Sequence, residues 1–228
     1  MFTLAIETSA VTVSVALFDG DQCLAERSLQ GGARHGRSLI AELGALLEQR
    51  DLSPHDCGLM AVSVGPGSLT GLRVGTVCAK VWSYTTKCAL VAVDTHAAIA
   101  ANTPAGVEAV QVISPSQGGD LFFSRHRREE GDLWAESAPL SYLPAADWIS
   151  QLGSDEIVSG PALEKLGPQL GDKCRLLPRD CWIAQARQVG RLGIGLFEAG
   201  QTSDAWSLEP RYVRLSSAEE KWDLRRRV

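Results

Sequence analysis

The chain has 228 residues, 45% of them hydrophobic and 21% charged, a mix that argues for a folded globular protein and against disorder. Its net charge of −5 suits it poorly to gripping nucleic acid alone, because neutralising phosphates needs concentrated Lys and Arg. The longest uncharged run, Cys57–Leu72, is too short and too rich in glycine to span a bilayer, no basic leader precedes an apolar core, and the six cysteines form no CxxC pair, so a reduced, cytoplasmic protein is expected.

Thr3–Ile6 is a short run of strand formers, and Thr12–Phe18 alternates with Val13, Val15 and Leu17 on one side. Asp19-Gly20-Asp21 signals a hairpin, and Cys23–Leu29 follows as a third strand. Leu39, Ile40, Leu43, Leu46 and Leu47 then mark an amphipathic helix over Arg37–Arg50. Leu59–Val64 reads as a buried strand, Gly65-Pro66-Gly67-Ser68 as a turn, Leu69–Thr86 as a helix and Ala89–Val93 as a strand. Thr95 is placed as the cap of a short helix running toward Asn102.

The stretch 102–106 resembles a linker, which divides the chain into a first lobe, 1–104, and a second, 105–228, whose C-terminal segment packs back on the first. Strands are expected at Val107–Ile113 and Leu121–His126, and helices at Ala145–Leu152, Ala162–Leu170 and Trp182–Ala199. No internal repeat is legible. A three-strand meander followed by alternating helices and strands predicts an α/β fold, a ribonuclease-H-like lobe; two such lobes make the actin-like ATPase (ASKHA) architecture.

The segment from Val64 to Arg73 joins a strand to a helix through glycines, which permit positive φ and close backbone approach. It reads either as a phosphate-holding loop, with Gly65, Gly67, Ser68 and Thr70 around an anion, or as a tight turn that packs well; it lacks GxxxxGK[ST] and is not GxGxxG. Glu7 and Thr8, ending the first strand, stand where an actin-like ATPase places an acid and a hydroxyl near metal-phosphate. Gly71, Gly75 and Ala79 stack on one helix face, which lets another element come close, from this lobe or from a partner.

No two of the four histidines, His35, His55, His96 and His126, lie at HxxxH or HExxH spacing, so no metal site is expected. GxSxG is absent, and Cys78 has no basic neighbour to make it a thiolate, so no catalytic residue is assigned. The basic C-terminal residues Lys221 and Arg225 to Arg227 are offset by Glu219, Glu220 and Asp223.

Residues 4–9 (Leu-Ala-Ile-Glu-Thr-Ser), 13–17 (Val-Ser-Val-Ala-Leu) and the glycine segment Val64–Gly75 together resemble the TsaB (YeaZ) family, and the endings Glu209–Arg214 and Ala218–Trp222 are similar to that family's. The resemblance implies two actin-like lobes. It implies a non-catalytic activating subunit of the machinery that forms N6-threonylcarbamoyladenosine at position 37 of ANN-decoding tRNAs. It also implies pairing with a TsaD-like catalytic subunit through the two first-lobe helices, docking of a TsaE-like ATPase on that pair, only indirect contact with tRNA, and no cofactor. Two departures stand out: His35-Gly36 where the family often has His-Ser, and Ser114-Pro115-Ser116 where it commonly has Asp-Ala-Arg. The expected interface residues are Leu39 and Leu43 on the first helix and Leu72, Gly75 and Ala79 on the second, with His35 at the rim. Homodimerisation through the same face is the fallback. The runner-up reading is a small phosphotransferase using Glu7, Thr8 and the Gly65–Thr70 turn around Mg-ATP; against it, the latter half shows no second, adenosine-type glycine motif, Ser159-Gly160-Pro161 being only a weak match, and a glycoprotease-like peptidase ranks below it.

Overall fold

The computed structural model describes residues 1–29, 35–129 and 134–213. Gly31, Gly32, Arg214, Ala218–Trp222 and the basic C-terminal residues lie outside the described residues, as does the side chain of His35, the first residue of its helix.

Strands β1 (Phe2–Glu7), β2 (Val13–Asp19) and β3 (Gln22–Leu29) form an antiparallel meander. Gly20, at φ +52°, turns the β2–β3 hairpin. Helix α1 (His35–Glu48) leads to β4 (Cys57–Ser63), α2 (Leu69–Thr86) to β5 (Ala89–Val93), and both strands add in parallel beyond β1. The order is β3-β2-β1-β4-β5. After the short helix α3 (Thr95–Ala100), β6 (Ala109–Pro115), β7 (Asp120–Arg128) and β8 (Trp134–Pro144) make a second meander. Helix α4 (Ala145–Gln151), β9 (Ile157–Ser159), α5 (Leu163–Leu170), β10 (Arg175–Leu176) and α6 (Ala186–Glu198) complete the described elements. The second order, β10-β9-β6-β7-β8, is the first one repeated, with β9 and β10 parallel to β6. The fold is therefore α/β, with two ribonuclease-H-like lobes of the actin-like ATPase type.

Strands β8, β9 and β10 escape the sequence reading for physical reasons. β8 is an edge strand that carries Pro139 and Pro144 and is half exposed, while β9 and β10 have three and two residues, too few to show a period. Thr95 is not the cap of α3: Asp94 is, its carboxylate accepting from Ala97 N at 2.9 Å. The last helix starts at Ala186 rather than Trp182, because residues 179–181 form a tight 3₁₀ turn instead.

Three cores stack in layers. Leu39, Leu43, Leu46 and Leu47 of α1 pack with Ala79 of α2 on Leu4, Ile6, Val15 and Met60. Each leucine, fully buried, contributes roughly 1.5–3 kcal/mol. On the opposite face of the same sheet, Ala5, Ala16, Phe18 and Ala61 meet Val189, Leu192 and Ile194 of α6. That layer also takes in Val110 and Val112 of β6, so α3 and α6 lie between the two sheets. A third core joins Ile113, Leu121 and Val158 to Trp148, Leu163 and Leu166.

Helix α6 comes after the second sheet in sequence but packs on the first. Gly190 and Gly193 make room for it: a Cβ at Gly190 would overlap the Phe18 ring, and one at Gly193 would lie 2.5 Å from Ala61 Cβ. Its first N–H groups are held by the first lobe, Ala186 N donating to Ser14 Oγ at 2.9 Å and Arg187 N to Glu26 Oε1 at 2.9 Å. The chain then returns along the first lobe. Ser203 N donates to Leu90 O, Lys80 Nζ to the carbonyls of Trp206 and Leu208, and Arg211 N to Val64 O. The Arg211 guanidinium also reaches Asp94 at 2.9 Å and Glu136 at 3.5 Å, tying this strap to both lobes.

Candidate functional site

A cavity of about 1000 Å³ opens between the lobes, bounded by the carboxyl ends of β1 and β6 and by the turns after β4 and β9. Open α/β sheets generally take ligands at the carboxyl ends of their strands, so this gap is the first place to look for chemistry.

The glycine segment lies on its wall, and three of its backbone N–H groups are bonded within the protein. Ser68 N donates to Ser9 O at 2.7 Å, Gly65 N to Thr95 Oγ1 at 3.0 Å, and Gly71 N to Ser68 Oγ at 3.3 Å, the last being the cap of α2. A Cβ at Gly67 would come within 2.6 Å of Ser9 Cβ; one at Gly71 would overlap Thr8 O, and one at Gly75 Thr8 Oγ1. The glycines thus admit the β1–β2 turn. Thr70 is exposed on the cavity wall.

The second glycine turn follows the same rule. Gly160, at φ +118°, abuts the Ile113 backbone just as Gly65, at φ +119°, ends β4 in the first lobe. Each is followed by proline, so the lobes share a Gly-Pro turn after their fourth strands.

Glu7 is fully buried rather than open to a metal. Its Oε1 accepts from Ser9 N, while Oε2, Thr8 Oγ1 and Ser63 Oγ are buried without a hydrogen-bond partner. Burial raises its carboxyl pKa above the ordinary 4.5, with the Ser9 hydrogen bonds pulling the other way. The folded state therefore holds the Glu7 proton more tightly than the unfolded chain. This contribution to stability is complete below pH 4.5 and is lost as pH rises through the folded pKa. Glu7→Gln is expected to raise the melting temperature at pH 7, with the gain vanishing toward pH 4; an unchanged or lowered melting temperature at pH 7 would count against a costly buried charge.

The expected interface residues need correction. Leu39, Leu43, Leu72, Gly75 and Ala79 are all buried in this chain's own core. The small-residue face of α2 turns inward, since Thr8 at the end of β1 comes so close that only glycine fits. The outward faces of the same helices carry the accessible apolar groups: Ile40 is 55% exposed on α1, and Val77, Val81 and Tyr84 are 58%, 55% and 54% exposed on α2. The last three are spaced i, i+4, i+7, one stripe of the helix. Tyr84 stacks edge-on against Trp206 at 5.3 Å, with Lys87 Nζ 4.4 Å from its ring.

One polar cluster was not anticipated. His96, fully buried on α3, approaches Ser114 Oγ with Nε2 at 2.8 Å and Ser124 Oγ with Nδ1 at 2.7 Å. Ser124 Oγ in turn meets His126 Nε2 at 2.9 Å. Burial keeps both imidazoles neutral, His96 well below the ordinary 6.5 and His126 down to about 4, where Glu136 works against the shift. The only signal in the sequence was Ser124 and His126 at i, i+2, one face of a strand.

Among the described residues no cluster of three or more His, Cys, Asp or Glu could hold a metal ion. The cysteines are free thiols; burial pushes Cys57 up to about 12 and Cys78 to about 11, so neither is a ready nucleophile. No described helix is long and apolar enough to cross a membrane.

Comparisons with known proteins fit this architecture. The family described as "TsaD: tRNA N6-adenosine threonylcarbamoyltransferase" matches residues 30–114. The chain is 27% identical to the tRNA threonylcarbamoyladenosine biosynthesis protein TsaB of Bacillus subtilis, covering 97% of this chain and 98% of that one. It is 24% identical to the protein of the same name from Escherichia coli, with the same coverage. Among solved structures, YeaZ from Pseudomonas aeruginosa superposes with a TM-score of 0.78 at 18% identity, over 93% of this chain and 99% of that one. A second Pseudomonas aeruginosa structure, described as similar to peptidase YEAZ, gives 0.81 at 19%, with the same coverage.

Proposed function

Since the chain belongs to the TsaB (YeaZ) family, we propose that it serves the biosynthesis of threonylcarbamoyladenosine in tRNA as a non-catalytic subunit that activates a TsaD-like partner. The product is the modified adenosine at position 37 of ANN-decoding tRNAs, and this subunit touches tRNA only through its partners. It works in the cytoplasm. The lobes are residues 1–104 and 105–228, and a TsaE-like ATPase docks on the assembled pair.

The observation that carries this reading is the exposed stripe of Val77, Val81 and Tyr84 beside Ile40 on two adjoining helices. Leaving such side chains in water is costly, and a partner helix that covers them recovers roughly 25 cal/mol per Å² of apolar area. When that partner is absent, a second copy of the chain covers the same face. The internal hydrogen bonds of the glycine segment count against a phosphotransferase built on it.

The test is co-purification of the tagged chain with a TsaD-like protein. Val81→Arg and Val77→Asp change only exposed positions, so each should keep the melting temperature while lowering capture at least tenfold. Undiminished capture by both variants would place the interface elsewhere. Threonylcarbamoyl transfer to tRNA by the isolated chain would overturn the non-catalytic role.

A further inference from the structure

The cavity between the lobes has a chemistry of its own. Val11, Ile99, Leu121, Leu166, Ile183 and Ala184 give it a largely apolar lining. Among the described residues the charged groups on its wall are Lys165, Asp120 and Glu164, and Glu164 is paired with Arg179, so no cluster of cations faces the cavity to hold a polyphosphate. The backbone N–H groups of Gly65, Ser68 and Gly71 are already bonded within the protein.

Against that lining stands one polar group with unusual support. Ser114 lies on the cavity wall and is only 4% exposed. Its hydroxyl is held by His96, which is held by Ser124, which is held by His126. Each neutral imidazole has one donor and one acceptor, and each hydroxyl can serve as either. The chain of hydrogen bonds can therefore run in either direction. In one direction Ser114 gives its proton to His96 and accepts from the cavity; in the other it accepts from His96 and donates to the cavity. The far end, His126 Nδ1, has no partner and so fixes neither direction.

We propose that the cavity is a binding pocket for an uncharged, largely apolar small molecule bearing one hydrogen-bonding group, which meets the Ser114 hydroxyl. A largely apolar cavity in which one wall hydroxyl is backed by a buried relay suits such a ligand and discriminates by the bond to that hydroxyl. The pocket makes no use of the α1–α2 face, so it stands or falls apart from the partner reading.

Two probes of nearly equal shape test it by fluorescence titration of the intact chain, naphthalene and 2-naphthol. A purely apolar pocket prefers the hydrocarbon, since the hydroxyl must give up its water. The wild type should reverse that order and bind 2-naphthol about tenfold more tightly, the equivalent of one hydrogen bond, ~1.4 kcal/mol. Ser114→Ala should restore the hydrocarbon preference. If that variant does not fold, Thr12→Trp, a half-exposed position on the cavity wall, supplies the second test by weakening both probes at least tenfold. The proposal is overturned if neither probe saturates, if the wild type prefers naphthalene, if the folded Ser114→Ala protein keeps the naphthol preference, if Thr12→Trp leaves both affinities unchanged, or if Mg-ATP displaces 2-naphthol.

Discussion

Gly71→Ala and Gly75→Ala should each destabilise the chain by roughly 1–3 kcal/mol, although glycine to alanine in a helix ordinarily stabilises by about 1 kcal/mol. The sign is set by Thr8. A methyl at Gly71 meets a backbone carbonyl that cannot swing aside, and one at Gly75 meets the threonine hydroxyl. For a chain of this size each kcal/mol corresponds to about 2–4 °C in melting temperature, so the losses are readily measured. Gly75→Leu should be worse still, leaving little soluble protein. Its failure to capture a partner would then report a folding lesion, whereas Val81→Arg would report a lost contact. A Gly71→Ala protein that melted at or above the wild type would show that the β1–β2 turn does not press on α2.

Stability should also fall as the solution is acidified from pH 6.5 toward 4. His126 has its pKa lowered to about 4 in the folded chain by burial, against 6.5 when unfolded. The unfolded chain therefore binds the proton first. The contribution is complete above pH 6.5 and is lost as pH falls through about 4. A difference of about 2.5 units sets its ceiling near 3 kcal/mol. His96 is displaced in the same direction, and Arg211 adds to both shifts while Glu136 opposes the one on His126. Glu7 works in the opposite sense, so the measurement is cleaner in a Glu7→Gln background. Denaturant melts at pH 7 and pH 4.5 should differ clearly in that background, and His126→Asn should reduce the difference. Equal stability at both pH values would mean that the imidazoles are solvated.

The first lobe was legible because its elements are long and regular. Val13, Val15 and Leu17 alternate, and the leucines of α1 repeat at helical spacing, so periodicity alone places them. The second lobe hides the same topology in strands of two and three residues and in an edge strand that tolerates proline. The Gly71, Gly75, Ala79 spacing said that something comes close to α2, but small residues cannot say what. The answer, Thr8, is more than sixty positions away in the chain and only a three-dimensional arrangement supplies it. The outward stripe was written in the same helix as Val77, Val81 and Tyr84, at helical spacing that also fits a buried face. His96 and Ser114 carry no motif at all; the crossing of α3 over the second sheet makes them a pair.

The placement of α6 has a consequence for how the protein is made. A ribosome delivers the first sheet complete by Val93, yet Phe18 and Ala61 wait for Gly190 and Gly193 before their side of the sheet is covered. Nearly a hundred further residues must be synthesised in that interval. The nascent chain thus carries an unfinished, sticky surface through about two fifths of its translation, a natural client for a holding chaperone, and a stop codon anywhere before α6 would leave that surface bare for good.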